Sequence, residues 1–192
     1  MDGKLWWYTT RASGLVAWGL LAAGVLWGLL LSTKLVTSRP RPAWVVDLHR
    51  FLGAAGLTFV GIHVTSILLD SYVDFGLVQV LQPLAATWHP VAVAWGIVSM
   101  YLLVAVEVTS LLRARLSVRA WRLTHLLSFP VFALSTVHML SAGTERHQPA
   151  TWFAAVLVSA AVVMLTAMRV NAATQPAGPG PAVTPAGART QG

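Results

Sequence analysis

Four histidines combine the residue type and the spacing that chemistry requires. His49 and His63 stand fourteen positions apart, and His125 and His138 thirteen apart, each pair in an otherwise apolar stretch. A neutral imidazole offers one nitrogen lone pair to a metal while its other nitrogen keeps a proton. On an α-helix, fourteen steps give about 21 Å of rise and a rotation about 40° short of four turns. His49 and His63 therefore share nearly one face at two depths. Gly53, Gly56 and Val60 lie between them on that face, and small residues let a flat, bulky group come close to a helix backbone. Such a stripe suits a helix facing two stacked metal porphyrins.

The second pair is less regular. Thirteen steps give about 20 Å of rise, which matches the first pair in depth, but the rotation is about 140° off on a straight helix. Pro130 lies between His125 and His138, and proline can kink or locally rewind a helix. Straight-helix geometry favours Met139 over His138 as the second ligand, and methionine also ligates haem iron. Both residues stand open on geometry alone.

The elements that must position these residues are membrane spans. The chain has 192 residues, of which 56% are hydrophobic and 10% charged, against about 25% charged in a soluble domain. Its mean hydropathy is +0.69. Nine tryptophans suit membrane–water interfaces. A span needs about 20 mainly apolar residues. Five stretches qualify: Ala12 to Ser32, Val45 to Leu69, Val91 to Leu112, Leu123 to Leu140, and Trp152 to Met168. The expected fold is all-α, an integral membrane bundle of five helices in residues 1–170. Residues 171–192 are rich in Pro, Ala and Gly and read as a disordered tail. Met1 to Trp7 carry Asp2 and Lys4 and do not read as a cleaved leader.

The net charge of +7 belongs to loops and not to a nucleic-acid surface, so lipid is the expected surrounding and no nucleic-acid partner is expected. Lys34, Arg39, Arg41 and Arg50 cluster at the first connection, and Arg113, Arg115, Arg119 and Arg122 at the third, while residues 70–89 hold no Lys or Arg. The positive-inside rule then puts the N-terminus outside and the tail in the cytoplasm of a multi-pass protein of the cell membrane. Lys4 and Arg11 weigh against that orientation. The absence of cysteine excludes disulfides, iron–sulfur clusters and thiolate metal sites.

The second and fourth helices run parallel, so His49 is expected to face His125, and His63 the second ligand of the fourth helix. Each facing pair would hold one b-type haem by both axial positions, which suits electron transfer more than oxygen binding. Arg50 and Arg122 would stand near haem propionates, although the positive-inside rule accounts for both without haem. Glu107 is a candidate proton relay or ion-pair partner. Gly24 and Gly28 form a G-x-x-x-G helix-packing pattern. Asp70, Asp74 and His89 are read as solvated loop polarity. The competing reading is a haem-free transporter or proton-path module that uses the same histidines.

The segments HRFLGAAGLTFVGIH and HLLSFPVFALSTVH, with the contexts LHRFLG and WRLTH, resemble the ferric-reductase-like transmembrane family. It includes the membrane domains of NADPH oxidases and ferric reductases, and the haem-binding subunit of bacterial methionine sulfoxide reductase. The resemblance spans roughly Leu5 to Gly143. It implies two b haems with iron held by His49, His125, His63 and His138, and so favours His138 over Met139. The larger relatives continue into a soluble FAD and NADPH domain, whereas this sequence continues into a short tail. The chain is therefore expected to be an electron-transfer subunit that does not use NAD(P)H alone. Its electrons would come from a separate flavoprotein or a quinol and pass to an acceptor at the outer face.

Overall fold

The computed structural model describes residues 2–33, 42–70 and 75–174. Lys34, Arg39, Arg41, Asp74 and the tail from 175 lie outside the described residues. Seven helices are described: α1 (Asp2–Thr33), α2 (Ala43–Leu69), α3 (Leu77–Leu81), α4 (Pro90–Leu111), α5 (Val118–His125), α6 (Ser128–Ala142) and α7 (Pro149–Thr174). Short 3-10 turns follow α4 at Arg113–Arg115 and α6 at Thr144–His147. Among the described residues, five helical segments are long and apolar enough to cross a membrane, with α5 and α6 together forming the fourth, Val118–Ala142. The last helix continues to Thr174, past the expected tail boundary at residue 171.

The helix starts follow local chemistry. Pro90 opens α4, where the missing N–H costs no hydrogen bond. Ser117 caps α5, its Oγ accepting from the Ala120 N–H at 3.1 Å, which satisfies one of the orphan donors of the first turn.

The fourth span departs from a single helix over Leu123 to Leu140. It breaks at Leu126 and Leu127, directly after His125. Pro130 is the physical reason: it has no N–H to give the carbonyl four residues back, and its ring crowds that carbonyl. The Leu126 carbonyl accepts instead from Phe129 N at 3.2 Å, and Leu127 N bonds to Thr124 O at 3.0 Å. These three-residue bonds wind the chain more tightly than an α-helix. The extra winding turns His138 toward the azimuth of His125, the direction that straight-helix arithmetic lacks.

α1 packs along α2 and also meets α6 and α7, while α4 packs along α6. Ala22, Leu29, Phe132, Val162 and Leu165 form a buried cluster where α1, α6 and α7 meet. Trp18 Nε1 donates to Thr136 Oγ1 at 3.0 Å across α1 and α6, so the indole N–H is satisfied within this apolar layer. The outward faces are apolar too: Phe51, Phe153 and Val163 are each more than 60% exposed. Helices apolar on all sides, with such residues outward, are built for lipid.

Candidate functional site

The α2 backbone stands off from α5 and α6, and the histidine rings face each other across that gap. The His49 and His125 ring centres are 5.9 Å apart, with planes at 74°. Those of His63 and His138 are 6.3 Å apart, with planes at 80°. Met139, the geometric rival, is buried beside His138 and lines the same cavity.

The two pairs are supported differently. His63 Nδ1 lies 2.8 Å from the Thr10 carbonyl, and His138 Nδ1 lies 2.8 Å from the Ala92 carbonyl. A carbonyl can only accept, so each Nδ1 carries the proton and donates it, leaving Nε2 as the unprotonated nitrogen. Thr10 is itself tied down, its Oγ1 donating to Ser66 Oγ at 2.9 Å. Ser66 Oγ donates in turn to the His63 carbonyl at 2.9 Å. At the other level, His49 Nδ1 and His125 Nδ1 are both buried without a hydrogen bond. The Trp121 ring stacks on His125, with centres 5.1 Å apart and planes at 21°. The Arg113 guanidinium lies 4.3 Å from the Trp121 ring centre, a cation–π contact.

Glycines on the neighbouring helices lie under three of the rings. A Cβ added at Gly14 would meet His63 Nδ1 and Cε1 at 3.0 Å, one at Gly28 would meet His49 Cε1 at 3.1 Å, and one at Gly96 would meet His138 Nδ1 and Cε1 at 2.8 Å. The G-x-x-x-G of Gly24 and Gly28 therefore packs within the chain, against Leu52 and His49 of α2. A cavity of 310 Å³ adjoins His63 and His138, with Gly14, Gly96 and Met139 also in its wall. Arg11 and Glu145 line the cavity as well and form an ion pair between α1 and the turn after α6.

The remaining sequence candidates are placed as follows. Gly56 is buried against Leu20 and Leu21 of α1, and Gly53 lies against the Glu107 carboxylate of α4. Arg50 is exposed and pairs with Asp47 at 3.5 Å. Arg122 is exposed on α5. The sequence reading missed Gly14, Gly28, Gly96 and Trp121 as neighbours of the histidines. One signal was available: Gly14 and Gly28 repeat the fourteen-residue interval of His49 and His63.

The donor sets are pairs. Among the described residues no group of three or more His, Cys, Asp or Glu converges on one point. Two opposed imidazoles suit a metal whose other positions a macrocycle fills. A metal–imidazole bond of about 2 Å on each side puts opposed ring centres about 6 Å apart, close to both observed separations. The glycine-lined seats and the orientation of Nδ1 toward main-chain carbonyls fit the same group.

A family model described as ferric reductase like transmembrane component matches residues 13–136. The match includes His49, His63 and His125 and stops two residues before His138. No curated protein and no solved structure matches the chain.

Proposed function

Because this multi-pass membrane chain belongs to the ferric reductase like transmembrane component family, we propose that it is a two-haem cytochrome b that carries electrons across the cell membrane. The observation that carries this reading is the pair of opposed imidazole rings at 5.9 and 6.3 Å. His49 and His125 would hold one haem iron, and His63 and His138 the other; porphyrin-bound iron would supply one-electron redox chemistry there.

The chain's own residues bind and orient. The Thr10 and Ala92 carbonyls hold His63 and His138 in the tautomer whose Nε2 is a ligand. Trp121 holds the plane of His125 by stacking. Gly56 lets α1 pack close to α2 through Leu20 and Leu21, and Gly53 makes room for the Glu107 carboxylate of α4, while Arg50 and Arg122 offer cations to propionates. The apolar helices exclude water, which favours electron transfer over side reactions with solvent. In this reading the donor is a separate flavoprotein or a quinol, and the acceptor meets the outer face. The arginine-rich connections support an orientation with the His49–His125 level on the cytoplasmic side, the N-terminus outside and residues 171–192 as a disordered cytoplasmic tail.

The test is optical. Membranes holding the full chain are expected to show reduced-minus-oxidised b-type bands, with two haems per chain by pyridine haemochrome. His63→Ala is expected to remove one haem and retain the other. Colourless protein from haem-replete cells sinks the proposal. Orientation is tested by introducing single cysteines into this naturally cysteine-free chain and labelling them with an impermeant maleimide. Labelling from outside at position 117 together with protection at position 87 would reverse the assigned topology.

A further inference from the structure

The three glycines beneath the histidine rings follow one rule. Thr10 and Gly14, Gly24 and Gly28, and Ala92 and Gly96 are each four residues apart. In a helix the carbonyl at position i−4 already accepts the N–H of residue i, but its oxygen has a second lone pair. For an incoming imidazole Nδ1–H to reach that lone pair, the ring must lie flat over residue i. Any side chain at i would occupy the same space, as the 2.8–3.1 Å approaches of a Cβ to the rings show. At His63 and His138 the hydrogen bond is complete at 2.8 Å. At His49 the ring lies on Gly28, with Nδ1 buried and without a hydrogen bond.

We propose that Gly14, Gly28 and Gly96 are positioning residues that seat three of the four histidines, and that α1 acts as a two-site template for α2. The inference rests on the two-haem reading. Gly14 and Gly28 are fourteen residues apart, as are His49 and His63. α1 and α2 pack as consecutive spans, so the order reverses: Gly14 serves His63 and Gly28 serves His49. On α4 the equivalent position fourteen residues beyond Gly96 is Ser110, not glycine. No fourth seat exists there, and Trp121 stacks on His125 instead. The seats set the ring planes, and at His63 and His138 the tautomer as well; the planes are near perpendicular at both levels. Perpendicular axial imidazoles leave two iron d orbitals nearly equal in energy, which gives a highly anisotropic low-spin ferric EPR signal in place of a rhombic one.

The experiment uses the full haem-loaded chain in membranes. Haem content and ferric EPR spectra are compared for the wild type, Gly14→Ala, Gly28→Ala, Gly96→Ala, and two controls. The controls are Gly19→Ala and Gly61→Ala, where an added Cβ meets nothing within 4 Å. The wild type is expected to give two highly anisotropic signals, assigned with His63→Ala. Gly14→Ala and Gly96→Ala are expected to shift or deplete the His63–His138 signal alone, and Gly28→Ala the other alone. Each seat variant is expected to weaken retention of its haem about 10- to 100-fold, the usual effect of losing a group that orients a metal ligand. Seat variants that match the controls overturn the inference. If a seat variant fails to accumulate, the wild-type spectrum decides, and rhombic signals of parallel rings overturn it. A colourless wild type instead overturns the two-haem reading itself.

Discussion

At His63 and His138 both Nδ1 atoms bond to main-chain carbonyls at 2.8 Å, whereas at His49 and His125 both are buried without a hydrogen bond. The first pair is anchored by the backbones of α1 and α4. The second leans on a glycine and an indole. A backbone anchor fixes tautomer, ring plane and ligand basicity together. A stacked ring fixes the plane but gives no acceptor to Nδ1. In the two-haem reading, the same pair of imidazoles is thus held at two levels with different electronic character, and ligand hydrogen bonding is one of the levers on a haem potential.

Loss of a ligand is expected to separate the two levels most strongly. His138→Ala and His125→Ala are each expected to abolish one haem and leave the other, read by pyridine haemochrome. Loss of both haems in either variant would show that the two levels do not load independently. Next is the stacking partner. Trp121→Ala is expected to weaken retention of the His49–His125 haem about 10- to 100-fold, while Trp121→Phe retains most of it; equal retention in the two variants would remove the indole from the argument. In a redox titration of the wild type, the anchored level is expected to have the lower midpoint potential. Its more basic ligands favour ferric iron, while Arg113 sits near the other level. The overall drop from donor to acceptor, and not the gap between the levels, then sets the direction of flow. Thr10→Val removes the hydroxyl link to Ser66 and is expected to cost about 1 kcal/mol, with only the anchored signal broadened. The smallest effect is expected from Arg50→Ala. Its exposed pair with Asp47 is worth roughly 0.2–1 kcal/mol at most, so a marked fall in haem content would show that Arg50 contacts a propionate.

Much of the fold was legible because lipid imposes a simple rule. A stretch such as residues 45–69 must satisfy its own backbone bonds and so must be helical. Span boundaries were less legible. Helix α5 begins at Val118, on the Ser117 cap, five residues before the expected start. Pro130 signalled a disturbance, but not that it would appear as a break at Leu126 and Leu127. Its strength depends on which neighbouring bonds replace the lost one. Trp121 gave no sequence signal of its role, since a tryptophan near a span end reads equally well as an interface anchor.

Hydropathy and helical period sufficed for five spans, for two histidine levels about 21 Å apart, and for the shared face of His49 and His63, because these depend on distances along one chain. The tertiary structure alone decided which backbone meets which ring. His138 rather than Met139 faces His63, which the family resemblance implied but straight-helix geometry did not, and Gly14, Gly28 and Gly96 lie under the imidazoles. Those choices depend on the azimuth and offset between separate helices, which side-chain packing sets and a linear pattern does not encode.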